Sequence, residues 1–306
     1  MKVLFAVDGS AGSFDAVGQV ARLLAPGKDE VALYCSPPTI RRIAAAMSPD
    51  VLARARQGLV DAVFDEARGR LPEVLQASAQ TITDNHDARH GVVTAAEQWG
   101  ADLLVVGARG LGTFERLLLG SVARVVVHAS KVPVWVARAG EGRQGRAGVN
   151  VLLACENPEL GCRPAEALAG FTWPEGSTCR TLTVVPSMFT GQVPDWLQQR
   201  ARSPEVEQMV GAWAREHEEK LRSMRVHMDA FAAKLPKRCR CAEPIVAEGG
   251  PASVILSAIA PEKIDLVVVG AYRKNWLSST LLGSTSEAVL NHAGCSVLVV
   301  PHPTEG

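Results

Sequence analysis

Short apolar runs alternate along the whole chain with segments of helical periodicity. The predicted strands of the first half are "VLFAV" (3–7), "EVALYCS" (30–36), "ASAQTIT" (77–83), "DLLVVG" (102–107) and "PVWVAR" (133–138). Apolar positions at helical spacing predict helices over 13–24, about 48–70, 91–99 and about 114–129. Near-continuous apolar strands separated by helices are typical of a parallel sheet covered on both faces. The pattern therefore predicts an α/β fold.

The second half of the chain repeats the first. "KVLFAVDGS" (2–10) matches "NVLLACENP" (150–158), and "ADLLVVGARG" (101–110) matches "IDLVVVGAYR" (264–273). The offset is 148 residues for the first pair and 163 for the second, so the second half carries an insertion of 15 residues. The Gly-rich, charged segment 139–148 suits a flexible linker. We therefore predict two tandem domains, 1–140 and 147–306, each a five-stranded parallel sheet in a three-layer α/β/α sandwich.

The second half is expected to follow the same plan of elements. Its remaining predicted elements are a strand over 178–186, an amphipathic helix over 195–235, a strand within "CAEPIVAEG" (241–249) and a helix over 251–261. Met224, Met228 and Phe231 form one apolar stripe of the long helix, which is expected to face the core of its own domain. The last strands, "PVWVA" and "SVLVV", are hydrophobic and similar, and exposed edges are normally paired or covered. We predict that they pair across the two halves.

Composition and charge narrow the class of protein. The 306 residues carry a formal net charge of zero, which argues against a nucleic-acid binder. The apolar N-terminal run is too short for a signal peptide, and no run is long enough for a membrane span, so a cytoplasmic protein is expected. The seven cysteines are expected to be reduced thiols, because Cys239 and Cys241 lack further ligands at zinc-site spacing. No metal site is predicted.

The loop after "DLLVV" carries the candidate chemistry. Gly107, Gly110 and the pair Gly120-Ser121 follow a buried strand whose carboxyl end lies at the ligand-binding edge of such folds. Glycines supply positive φ and let backbone N–H groups approach an anion directly, so this loop has the means to hold a phosphate chain. It is neither a P-loop nor a dinucleotide fingerprint. Glycine spacing alone leaves a plain strand-to-helix turn equally plausible.

The full spacing Gly107-x2-Gly110-x9-Gly120-Ser121 resembles the phosphate motif of the ATP-binding universal stress proteins. The first and fourth strands and the last helix and strand resemble that family too, over most of both halves. The resemblance implies a Rossmann-like fold of the adenine nucleotide alpha hydrolase type, pairing through the last strand, and ATP, with or without Mg²⁺, as ligand. It implies that Asp8 contacts the adenosine part and that the neighbourhood of Cys35 packs against the adenine. It also implies that ribose and phosphates are bound by Gly107, Gly110, Gly120, Ser121 and Val122. Arg109 is added as a phosphate contact by proximity alone.

The second half departs from this motif. Gly270, Gly283 and Ser284 remain, but Arg273 replaces the middle glycine and Glu156 replaces the aspartate. An arginine at a position built for glycine strains the loop or changes its path. We therefore expect one working nucleotide site, in the first half, and a degenerate or structural counterpart in the second.

Three functions stay open from the sequence. The first is a nucleotide-binding stress regulator whose occupancy alters association with an unidentified protein or with a second chain. The second is a nucleotide-independent scaffold that uses the long helices. The third is a weak ATPase, although Asp8 is the only acid placed near the site and the cluster His86, Asp87 and His90 reads best as a solvated polar loop. Whether ATP outranks AMP is also open.

Overall fold

Strands and helices alternate along the chain in the computed structural model, which describes residues 1–37, 47–84, 87–110, 119–139, 146–185, 204–233, 235, 240–271 and 282–301. The elements of the first half are β1 (Lys2–Ala6), α1 (Ala11–Ala21), β2 (Glu30–Cys35), α2 (Pro49–Gly69), α3 (Glu73–Ser78), β3 (Gln80–Thr83), α4 (Ala88–Trp99), β4 (Leu103–Gly107), α5 (Ser121–Ala129) and β5 (Val134–Ala137). Those of the second half are β6 (Asn150–Ala154), α6 (Pro158–Ala169), β7 (Thr178–Val185), α7 (Pro204–Ala232), β8 (Arg240–Cys241), β9 (Ile245–Glu248), α8 (Pro251–Ile259), β10 (Leu266–Ala271), α9 (Ser284–His292) and β11 (Ser296–Pro301).

The strands of the described residues form one continuous sheet, in the order β3-β2-β1-β4-β5-β11-β10-β6-β7, with β8 and β9 both paired to β7. Every pairing is parallel except that of β5 with β11, which is antiparallel and joins the two halves. Trp135 lies opposite Leu298 in this pair. The predicted α/β fold and the predicted pairing of the last strands are confirmed, so the two predicted sheets are halves of a single sheet.

Each face of the sheet packs against its own helical layer because side chains alternate along a strand. Val3 and Phe5 of β1 join the core that also contains buried residues of α1, α2, α6 and α7. Leu4 joins the core on the opposite face, with buried residues of α4, α5, α8 and α9. The three layers of the predicted sandwich are therefore present in both halves.

Several element boundaries differ from the prediction. The strand expected from residue 77 begins at Gln80, because the preceding residues form the short helix α3. The helix expected from residue 114 begins at Ser121, since the backbone of Gly120 is extended and caps it; residues 111–118 lie outside the described part of the chain. Residues 195–203 of the expected long helix also lie outside it.

The edge of the second half is more broken than predicted. The expected strand in "CAEPIVAEG" is split into β8 and β9, which flank Pro244. Proline has no N–H to donate to a ladder, so an interruption at this residue is expected. Met228 and Phe231 are buried and Met224 packs against the same core, which confirms that the apolar stripe of α7 faces its own half. None of the described helices combines the length and apolarity needed to cross a membrane.

Candidate functional site

A cavity of about 400 Å³ opens at the carboxyl ends of β1, β2 and β4 in the first half. Its walls continue onto the first turns of α4 and α5. This is the edge at which open α/β sheets bind ligands. Seven of the eight residues predicted for the site line it, namely Asp8, Gly107, Arg109, Gly110, Gly120, Ser121 and Val122.

Cys35 is the predicted residue that the structure places elsewhere. Its side chain is 3% exposed and belongs to the core beneath α1 and α2, on the face of the sheet away from the cavity. Its neighbours Tyr34 and Ser36 line the cavity instead, because successive side chains of a strand point to opposite faces. Burial, and then the charge of Asp8, raise the pKa of the Cys35 thiol to about 11. The thiol is therefore protonated at neutral pH.

Asp8 is held by the turn that connects β1 to α1. Its Oδ1 accepts hydrogen bonds from the backbone N–H of Ser10 at 3.0 Å and from the Ser10 hydroxyl at 2.5 Å. Ser10 is also the N-cap of α1, since its Oγ accepts from the Ser13 N–H at 3.2 Å. Gly9 between them has φ +83°, a backbone conformation that glycine adopts without strain. The turn thus fixes Oδ1 of Asp8 and leaves Oδ2 directed towards Gly110.

The glycines of the loop are required by close approaches of the backbone. A Cβ at Gly107 would lie 3.0 Å from the carbonyl carbon and oxygen of Gly12, at the start of α1. A Cβ at Gly110 would overlap Oδ2 of Asp8. Gly120 donates its N–H to the Ala108 carbonyl at 2.8 Å, and a Cβ there would lie 3.3 Å from the same oxygen. Side chains at these positions would therefore displace the backbone or the Asp8 carboxylate.

The N-terminus of α5 faces the same cavity. Gly120 caps the helix without any side-chain hydrogen bond, and Ser121 and Val122, its first two residues, line the cavity. The first-turn N–H groups of a helix carry a partial positive charge and lack partners within the helix. Arg109 also lines the cavity, and the helix N-terminus makes this end suited to an anion.

The opposite end of the cavity is formed by Tyr34, Ser36, Ala88 and Val92. The expected neighbourhood of Cys35 supplies Tyr34 and Ser36, although neither residue was named from the sequence, and Ala88 and Val92 were not predicted. The Tyr34 hydroxyl donates to Asp84 Oδ1 at 2.9 Å and passes so close to Gly91 that a Cβ there would overlap it. Burial, followed by this carboxylate, raises the pKa of Tyr34. The signal available in the sequence was the position of Tyr34 and Ser36 on either side of Cys35 at the end of β2.

Asp87 and His90, the described members of the predicted polar cluster, do not line the cavity. Asp87 caps α4 and forms an ion pair with Arg89 at 2.7 Å, and His90 is exposed. His86 lies outside the described residues, as do the side chains of Cys239 and Cys241. Within the described ranges, no three histidine, cysteine or acidic side chains come together as a metal-ligand set.

The same region of the second half has different local chemistry. Asn157 caps α6, its side chain accepting from the Leu160 N–H at 2.9 Å. The buried Thr183 hydroxyl donates to the Glu156 carbonyl at 2.9 Å, and the Ser286 hydroxyl donates to the Gly270 carbonyl at 2.7 Å. Each of these three side chains is hydrogen-bonded to a backbone group of the same half. Arg273, on which the predicted degeneracy of this half depends, lies outside the described residues.

Comparisons with known proteins agree with this architecture. The model of the universal stress protein family matches residues 1–138 and 192–301. A universal stress protein of Mycolicibacterium smegmatis is 24% identical over 319 residues, covering 97% of this chain and 96% of the relative. The structure of a universal stress protein from Archaeoglobus fulgidus superposes with a TM-score of 0.61 at 18% identity, covering 100% of this chain and 97% of that one.

A shorter relative corresponds to half of the chain. Universal stress protein YxiE of Bacillus subtilis is 25% identical over 149 residues, which is 45% of this chain and 98% of YxiE. A structure of a universal stress protein in complex with cAMP shares 26% identity over 45% of this chain and 97% of its own, with a TM-score of 0.36. The family model matches a region in each half and more than half of the chain, and the chain belongs to the universal stress protein family.

Proposed function

We propose that the chain binds an adenine nucleotide, ATP, in the cavity of its first half. The observation that carries this proposal is the convergence of three glycines, a helix N-terminus without a side-chain cap and Asp8 on one cavity. Its volume of about 400 Å³ is within the range usual for small-molecule sites. The spacing of the glycines resembles that of ATP-binding family members, and one member has been solved with cAMP.

The two ends of the cavity suit the two ends of a nucleotide. Phosphates would lie against the backbone N–H groups at Gly110, Ser121 and Val122, with Arg109 as a counter-charge, because anions prefer a helix N-terminus. The ribose would lie near the free Oδ2 of Asp8. The base would occupy the end formed by Tyr34, Ala88 and Val92, since a base presents a flat apolar face and a polar edge.

The lining residues favour binding over efficient turnover. Asp8 is the only acid among the described residues that line the cavity, and no histidine is among them. Phosphoryl transfer requires a positioned nucleophile and stabilisation of developing charge. We therefore propose a stress-response regulator whose nucleotide occupancy alters its association with other proteins, with hydrolysis at most slow.

The direct test is the nucleotide that the protein carries. The protein is purified gently and denatured, and released nucleotides are identified and counted by mass spectrometry. We expect about one adenine nucleotide per chain in the wild type and none in Gly110→Arg, because the new side chain would enter the space of the Asp8 carboxylate. Gly58→Arg is the control, since Gly58 is exposed on α2 with no atom within 4 Å of an added Cβ.

The results of this experiment distinguish the three functions that the sequence leaves open. A protein that is empty and does not respond to added ATP would contradict the proposal and favour a nucleotide-independent scaffold. Released cAMP or AMP would keep the site and change the ligand. Turnover of ATP that is lost in Asp8→Ala would favour the weak ATPase.

A further inference from the structure

The junction of the two halves has a local pseudo-twofold axis. Residues of the last helix and strand of each half are equivalent at an offset of 163, so Trp135 corresponds to Leu298. These two residues lie directly opposite each other in the β5–β11 pair, which places the axis between them. Positions near the axis therefore face their own equivalents. A pair made of two identical halves would put identical residues face to face there.

Charges near the axis are opposite in the two halves. Arg124 of α5 donates to Glu287 Oε1 at 3.5 Å and to Asn291 Oδ1 at 3.3 Å on α9. His128 Nε2 lies 3.2 Å from Glu287 Oε2. Glu287 is the equivalent of Arg124, and Asn291 is the equivalent of His128. Two copies of the first half would therefore bring two Arg124 side chains together, and two copies of the second half would bring two Glu287 side chains together.

Side-chain volumes at the axis are also complementary. Trp135 is fully buried and packs edge-on against Phe171 of the second half, with ring centroids 5.6 Å apart. The equivalent of Phe171 is Leu23, at the offset of 148 that applies to the front of each half. Directly opposite residues of an antiparallel pair have neighbouring side chains on one face. Two first halves would therefore oppose two indoles, and two second halves would oppose two leucines.

A buried polar network lies on one side of the axis only. The backbone N–H of Arg138 donates to Ser296 Oγ at 3.1 Å, Ser296 Oγ donates to Gln19 Oε1 at 3.1 Å, and Gln19 Nε2 donates to the Arg138 carbonyl at 3.1 Å. The Arg138 guanidinium donates to the Leu290 carbonyl at 2.5 Å. The equivalents of Arg138, Ser296 and Gln19 are Pro301, Pro133 and Ala167, which have no polar side chains. Two copies of the first half would leave the Arg138 N–H opposite a proline, and an unpaired buried group is unfavourable.

We infer that the joined edges of the two halves are complementary to each other and not to themselves, so that each chain closes this edge internally and excludes a second copy of either half from it. Charge, side-chain volume and hydrogen bonding all favour pairing of the first half with the second over pairing of either half with a copy of itself. A second chain or another protein must then associate through a different surface. This inference does not depend on nucleotide binding.

Site-specific photo-cross-linking of the full-length chain tests which surfaces meet. Arg124→p-benzoylphenylalanine places the probe beside the axis, and Val74→p-benzoylphenylalanine is the control, because Val74 is 64% exposed on α3. We expect irradiation at position 124 to join it to the segment containing Glu287 and Asn291 within one chain. Chains joined to each other at position 124, in greater yield than from position 74, would overturn the inference. The probe also removes the Arg124 charge, so it makes self-pairing easier to detect.

Substitutions that make the halves alike test the selectivity itself. Glu287→Arg recreates the arginine pair of two first halves, and Arg124→Glu with Glu287→Arg exchanges the charges. We expect Glu287→Arg to lower the ratio of folded to unfolded protein about two- to fivefold in urea titrations. The exchange should restore the part of this loss that comes from the pair at 124 and 287, but not the contact of residue 287 with His128. Leu298→Trp recreates the facing indoles and is expected to lower that ratio at least about tenfold by overpacking. Additive effects of the two charge reversals, together with tolerance of Leu298→Trp, would overturn the inference.

Discussion

The turn that connects the first strand to the following helix has a different local structure in each half. In the first half a positive-φ Gly9 precedes the cap residue Ser10, which also binds the Asp8 carboxylate. In the second half the equivalent of Gly9 is Asn157, which has an extended backbone and is itself the cap, so that helix begins one residue earlier. The repeated fold therefore does not require the glycine-rich turn. The first half retains a turn that orients a carboxylate, and the second retains only the helix start.

The glycines that end the fourth strand of each half show the same contrast. Gly107 is in tight contact with the backbone of Gly12, whereas the nearest atom to a Cβ at its equivalent Gly270 is Pro164 Cγ, 4.0 Å away. Glycine at 107 is required by packing around the cavity, and glycine at 270 is not required by the contacts of the described residues.

Alanine at these two glycines is expected to give the largest difference between the halves. Gly107→Ala should lower the free energy of unfolding by about 2 kcal/mol, because a backbone segment must shift to admit the methyl group. Gly270→Ala is the matched control and should stay within about 0.5 kcal/mol of the wild type. Urea unfolding measures both. Equal effects would contradict the claim that only the first half needs this close approach.

Unfolding at alkaline pH tests a second pair of equivalent positions, Val7 in the first half and Cys155 in the second. Cys155 occupies the position of Val7, and burial raises the pKa of its thiol to about 12. A raised pKa stabilises the folded state below about pH 9, where both states keep the proton, and this contribution falls as the pH rises towards 12. In the wild type, this thiol is expected to lower the free energy of unfolding by about 1.4 kcal/mol per pH unit above pH 9, and Cys155→Val should abolish that decrease. Unfolding at pH 8 and pH 10 measures it; parallel curves for Cys155→Val and wild type would contradict the expectation.

The two helix caps provide the smallest and most selective comparison. Ser10→Ala and Asn157→Ala should each lower the free energy of unfolding by about 1 kcal/mol, since each removes one N-cap hydrogen bond. Only Ser10→Ala also removes the hydroxyl hydrogen bond to Asp8, leaving the backbone N–H bond, so only that variant should bind ATP more weakly in calorimetric titration. Equal binding by both variants would show that the orientation of Asp8 does not matter to the ligand.

Much of the site could be predicted because it depends on local spacing. The glycines and Asp8 belong to strand-to-helix turns, and parallel topology brings the carboxyl ends of neighbouring strands to one edge. Cys35 was assigned to the cavity region, but the alternation of side chains directs it into the opposite core, and Tyr34 and Ser36 take its place. The Tyr34–Asp84 hydrogen bond joins residues 50 positions apart, and no local pattern indicated it.

The duplicated α/β plan, the order of most elements, the glycine loop and the pairing of the last strands could be predicted from the sequence, because apolar periodicity and turn residues act over short distances along the chain. The register of the β5–β11 pair with Trp135 opposite Leu298, the contact of Arg124 with Glu287, and the side chains that line the cavity were visible only in the folded chain. The physical reason is that register, face and cross-axis contacts depend on how distant segments pack together. Such packing is a property of the whole sheet, and it leaves no periodic pattern in either half alone.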